Sequence, residues 1–156
     1  MKKFELTTKF ITNVAGKKLF RIKALVEFGN VKAGELGGYV EKEGNISQDG
    51  NAWVSGNAWV DGNATVSGNA TVSGNAEVSG NTDYALAQGF GTEFRCTTFY
   101  RGKNKKIMVN CGCFHGDLEE FRKQVKETRS GKIAKEYLMI ADLMEYHFAS
   151  EDSDDE

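Results

Sequence analysis

The sequence predicts a mainly β fold: a short solenoid, capped by an N-terminal β-hairpin and followed by a small ββαα domain. Three observations lead there. Seven glycines stand six residues apart, at Gly44, Gly50, Gly56, Gly62, Gly68, Gly74 and Gly80, each followed by asparagine. Between them, Ala52, Ala58, Ala64, Ala70 and Ala76 form one column, and Val54, Val60, Val66, Val72 and Val78 form another. Finally, the helical periodicity is confined to the last third of the chain, after Asp117.

At the N-terminus, Phe4, Leu6, Thr8 and Phe10 alternate, and Leu19 or Phe20 alternates with Arg21 and Lys23 beyond Asn13-Val14-Ala15-Gly16. That pattern predicts a hairpin. The glycine-rich stretch from Phe28 to Gly38 carries the chain into the repeats, so residues 1–43 are expected to cap them, with Val40 and Ile46 entering the inward columns. Residues 44–84 are the repeat. A six-residue period suits three short strands per triangular turn of about eighteen residues, so that side chains eighteen apart stack and the backbone bonds between rungs. Val54 then lies against Val72, Val60 against Val78 and Asn51 against Asn69. Glycine and asparagine suit the corners because both tolerate positive φ. Trp53 and Trp59 fall in the outward column that later carries Thr65, Thr71 and Glu77, and are expected to form an oligomer interface or to lie under a cap.

Residues 85–150 form the predicted ββαα domain. Phe94, Cys96, Thr98 and Tyr100 alternate with Arg95, Thr97 and Phe99, and Ile107–Cys111 follows the polar turn at 101–105, a second hairpin. Asp117 and Glu120 make a capping box, with Leu118, Phe121 and Val125 on one helical face. Gly131 separates a second helix, striped by Ile133, Tyr137, Ile140, Met144 and Phe148. Residues 151–156 supply five negative charges, leaving +3 on residues 1–150, and are expected to be a disordered, solubilising tail.

The Gly-Asn-Ala repeat from Gly44 to about Tyr84 resembles the hexapeptide-repeat proteins. That resemblance implies a left-handed parallel β-helix and a homotrimer. A wider resemblance rests on the approach 31–41, the repeats, and Val109-Asn110-Cys111-Gly112-Cys113-Phe114-His115-Gly116 before Leu118-Glu119-Glu120-Phe121. Those segments are similar to small hexapeptide-repeat proteins of phages and prophages. The resemblance implies an accessory protein that occludes a host defence factor, with a CRISPR nuclease as the leading candidate.

Chemistry in the sequence is sparse. Acyltransferases of the hexapeptide type use a histidine base near a coil corner, whereas His115 and His147 both lie beyond the repeats, so no catalysis is expected. Cys111, Cys113 and His115, with Cys96, count four potential zinc ligands, but the Cys-x-Cys spacing is tighter than structural zinc sites favour, and neither metal nor cofactor is expected. An odd cysteine count and the lack of a long apolar run suit the cytoplasm, without membrane contact. Tyr100, Arg101, Lys103, Lys105 and Lys106 are the expected partner-binding residues, for a protein or ribonucleoprotein with nucleic-acid contact also open. The alternatives are an acyltransferase, a nucleotide-binding sponge and a virion structural protein.

Overall fold

The computed structural model describes residues 2–80, 83–92, 95–111 and 114–149. Strands β1 (Phe4–Thr12) and β2 (Lys18–Ala24) form the expected antiparallel hairpin, and β3 (Leu36–Val40) pairs antiparallel with β2. In the repeat, β4 (Trp53–Val54), β5 (Trp59–Val60), β6 (Thr71–Val72) and β7 (Glu77–Val78) are two residues each.

Those short strands pair in parallel at the expected spacing. Trp53 and Val54 register with Thr71 and Val72, and Trp59 and Val60 with Glu77 and Val78. Between them run bonds such as Asn57 N–H to Gly74 O at 3.0 Å and Asp61 N–H to Val78 O at 2.9 Å. Every alanine and valine of the two columns is buried. The asparagine column is also present: Asn51 Nδ2 donates to Asn69 Oδ1 at 3.3 Å, and Asn69 Nδ2 donates to Gln88 Oε1 at 3.4 Å. Gly50, Gly56, Gly62, Gly68 and Gly74 all have positive φ, which explains glycine at those five corners.

The fold class itself requires correction. The molecule is mixed α and β: among the described residues there are separate sheets of five, four and two strands and two α-helices, and no sheet closes or winds as a solenoid, so the expected left-handed parallel β-helix is not indicated. The repeat strands are two residues each and do not join into one sheet. Instead β5 and β7 extend the antiparallel N-terminal sheet, in the order β1-β2-β3-β5-β7, while β4 and β6 form an isolated pair. The third face of the repeat is reduced to a single parallel bridge between Ile46 and Val66.

The C-terminal part is also richer than ββαα. Four antiparallel strands, β8 (Tyr84–Phe90), β9 (Arg95–Arg101), β10 (Ile107–Cys111) and β11 (Phe114–Asp117), lie in the order β11-β10-β9-β8 and precede α1 (Leu118–Thr128) and α2 (Gly131–Phe148). This sheet covers the end of the repeat. Thr71 N–H donates to Thr98 Oγ1 at 3.0 Å, Asn110 Nδ2 donates to Thr71 O at 2.9 Å, and the Tyr84 hydroxyl donates to Thr65 O. Backbone groups that a further rung would have paired are thus satisfied by side chains, as buried polar groups require. Strand β9 joins two cores: Phe99 packs with Phe121, Val125 and Tyr137, whereas Tyr100 belongs to the core of the repeat columns. No helix among the described residues is long and apolar enough to cross a membrane. The acidic tail lies outside the described residues.

Candidate interaction surface

The chain between β9 and β10 turns tightly at Lys103–Lys105, where Lys105 adopts a left-handed φ of 62° and Gly102 N–H bonds Lys106 O at 2.7 Å. A one-turn reversal therefore displays Lys103, Lys105 and Lys106 together, all exposed. Their circumstances differ. Lys106 Nζ lies 3.0 Å from Asp117 Oδ2, and that carboxylate raises its pKa. Among the described residues, neither Lys103 nor Lys105 has an ion-pair partner.

The other two expected residues of this surface are held inward. Arg101 Nε donates to Asp83 Oδ1 at 2.8 Å, and its guanidinium lies 5.2 Å from the centroid of Phe148. Tyr100 is fully buried, which corrects its expected role as a stacking residue. An alternating strand must send neighbours to opposite faces, and the face that takes Tyr100 is covered by the repeat. Its hydroxyl meets Ser73 Oγ at 3.3 Å and Asn110 Oδ1 at 3.4 Å, and burial pushes the phenol pKa up.

The tryptophans also part ways. Trp53 is 4% exposed, with its ring edge-on to Phe4 and Phe28 at centroid distances of 6.3 and 5.3 Å, so the cap of the same chain covers it and no ring remains for a second subunit. Trp59 is half-buried and lines a cleft of about 290 Å³ with Tyr39, Asn75, Glu77 and Lys103. A second cleft of about 290 Å³ shares Asn75 and Lys103 and continues to Gly74, Lys106 and His115. The two clefts therefore adjoin at Asn75 and Lys103, with the Trp59 ring in one and the His115 imidazole in the other.

His115 is oriented by Asn110, whose Oδ1 faces Nδ1, while Asn110 Nδ2 donates to Ser73 Oγ at 3.1 Å. Its Nε2 would lie 3.7 Å from a Cβ placed on Gly74. Of the potential zinc ligands considered from the sequence, Cys111 and His115 lie on opposite faces of the sheet. His115 pairs with Asn110 on the face toward the repeat, while Cys111 pairs with Phe114 on the face toward the helices. Burial pushes the Cys96 thiol pKa up, Cys113 lies outside the described residues, and no group of three potential ligands occurs among the described residues. His147 sits at the far end of α2 against Phe148. Reasoning from the sequence missed Asn75 and His115, and Asn57, which lines the first cleft beside Trp59, as cleft residues. The signal for the asparagines was present, because stacked corner positions must line one edge of the repeat. No family model matches this chain, and no curated protein matches it.

Proposed function

We propose that this protein is a non-catalytic binding protein that occludes an acidic surface of a protein partner, using the lysine turn and the two clefts beside it. The observation carrying this reading is the position of Lys103, which has no ion-pair partner among the described residues, at the junction of two clefts that hold Trp59 and His115, with exposed Lys105 beside it in the turn. Burying a half-exposed tryptophan supplies apolar area, and the ammonium groups select acidic side chains and speed encounter. A protein partner is favoured over a nucleic acid. The expected stacking residue Tyr100 is inaccessible, and Trp59, a half-exposed ring in the clefts, shares its cleft with the apolar Ile11. The sequence resemblance to phage accessory proteins makes a host defence protein, such as a CRISPR nuclease, the first partner to test.

The test is a tagged pull-down from host lysate with the natural chain and with Lys103→Glu/Lys105→Glu, followed by mass spectrometry and sequencing of retained nucleic acid. One near-stoichiometric protein, held by the natural chain and lost from the variant, is expected. Equal capture by both chains, or retention of nucleic acid alone, would refute the proposal.

A further inference from the structure

Strand pairing sets Asn110 of β10 directly opposite His115 of β11, so their side chains share the face turned toward the repeat. The Asn110 amide is fixed there by what it meets. Its Nδ2 donates to Thr71 O at 2.9 Å and to Ser73 Oγ at 3.1 Å, and a backbone carbonyl can only accept, so Oδ1 is the atom turned to the imidazole. The Tyr100 hydroxyl meets the same Oδ1 at 3.4 Å. His115 Nδ1 therefore carries a proton and donates it to Asn110, which sets both the tautomer and the direction of the ring.

Nε2 is left for the cleft that His115 lines with Lys103, Lys106, Ser73 and Asn75. A Cβ on Gly74 would lie 3.7 Å from Nε2, so glycine at that corner keeps the approach to the nitrogen open. Among the described residues, Nε2 has no hydrogen-bond partner, Lys103 has no ion-pair partner, and no carboxylate lines this cleft. Asp117, which is not part of its lining, lies 3.0 Å from Lys106 Nζ and leaves that ammonium further N–H groups to give. Glu77 lines only the adjoining cleft.

We propose that this cleft binds a phosphate monoester, with Lys103 and Lys106 on its terminal oxygens and His115 Nε2 sharing a hydrogen bond with one of them. The proposal rests on the reading of the two clefts as the partner-binding surface, and it names the acidic group that they take. A carboxylate fits less well. It has two oxygens that only accept, and it leaves an unprotonated Nε2 with nothing to accept. A phosphate monoester has three terminal oxygens and exchanges its last proton near neutral pH, so it donates to an unprotonated Nε2 or accepts from a protonated one. A metal ion at Nε2 would be repelled by the two ammonium groups.

The experiment is an NMR titration of the full chain, labelled with nitrogen-15, with inorganic phosphate and separately with acetate, at neutral pH and constant ionic strength. Phosphate stands for the phosphoryl group and acetate for an Asp or Glu side chain. The His115 ring nitrogens and the Gly74 and Lys103 amides should shift saturably, with phosphate bound about tenfold more tightly than acetate. His147, on a helix that lines neither cleft, should not move. His115→Ala, at an exposed position, should abolish the preference for phosphate, whereas Lys103→Ala should weaken both anions and keep it. Far-UV dichroism checks that each variant is folded. No saturable shift, equal affinity for the two anions, or an undiminished preference in His115→Ala would overturn the proposal.

The titration needs no partner, so its failure is separate from that of the capture experiment. A partner lost with Lys103→Glu/Lys105→Glu but no preference for phosphate sinks this proposal alone, and a preference for phosphate with unchanged capture sinks the partner reading alone. Phosphatase treatment of the lysate before capture distinguishes the sources of the group. Loss of the captured protein assigns it to a phosphorylated side chain of the partner, and retention together with the preference for phosphate assigns it to a small free monoester.

Discussion

Gly38 shows how a single hydrogen in place of a side chain holds β3 against the repeat. A Cβ at this position would lie 2.5 Å from Ala58 O and 2.8 Å from Val54 Cγ1, and at neighbouring Gly37 it would lie 2.6 Å from both the Trp53 ring and Val54 O. The carbonyl of Ala58 cannot yield, because it accepts the Tyr39 N–H at 3.0 Å. Gly38→Ala is therefore expected to destabilise the fold by about 1–3 kcal/mol, the range for overpacked sites, in urea denaturation. Gly44→Ala is the control, with nothing within 4 Å of the added carbon and no positive φ, and should change stability little. From sequence the corner glycines were legible, since their period announces a repeated backbone turn. The reason for Gly37 and Gly38 was not, because it depends on which strand the segment meets.

Helix α1 starts where its own residues dictate. Asp117 Oδ1 accepts the Glu120 N–H at 2.8 Å, and Glu120 Oε1 accepts the Asp117 N–H at 2.8 Å, the capping box read from the sequence. Asp117→Ala should cost about 1 kcal/mol in unfolding free energy. The Glu120 amide and the Lys106 ammonium hold the Asp117 carboxyl below its usual pKa. Its contribution is thus complete above the unfolded-state carboxylate pKa and is lost as pH falls through the lower folded value. Asp117→Asn keeps a capping oxygen but cannot titrate, so its denaturation midpoint should fall less steeply with acid than that of the natural chain. An equal acid slope in both proteins would count against this account. Local capping chemistry made α1 legible, whereas β8 and β11 escaped notice because their apolar alternation is weak and their pairing is set by β9 and β10. The pairing of Asn110 with His115 was hidden for a related reason: the two meet only once β10 and β11 are side by side.

At the scale of the molecule, β9 couples two cores that the sequence presents as separate units. Phe99 anchors it among the helices and Tyr100 anchors it in the repeat, while Thr98 and Asn110 bond the last rung. Such shared burial should make the repeat and the C-terminal sheet unfold as one cooperative unit. The chain offers independent reporters for each part, since both tryptophans lie in the repeat and both helices lie beyond it. Tryptophan fluorescence and far-UV helical dichroism should therefore share one denaturant midpoint, the mark of a two-state transition. Tyr100→Ala should lower stability by about 3–5 kcal/mol, as large aromatic truncations do, because it empties a site that faces backbone and side chains of the repeat. If Tyr100 is the coupling element, the variant should also split the two signals, with tryptophan fluorescence changing at lower denaturant than the helical signal. The repeat depends on the C-terminal sheet to satisfy its last rung, whereas the second core keeps Phe99, Phe121 and Tyr137. Coincident midpoints in the variant would mean that Thr98 and Asn110 suffice to couple the two parts, and separated midpoints in the natural chain would mean that the cores fold independently.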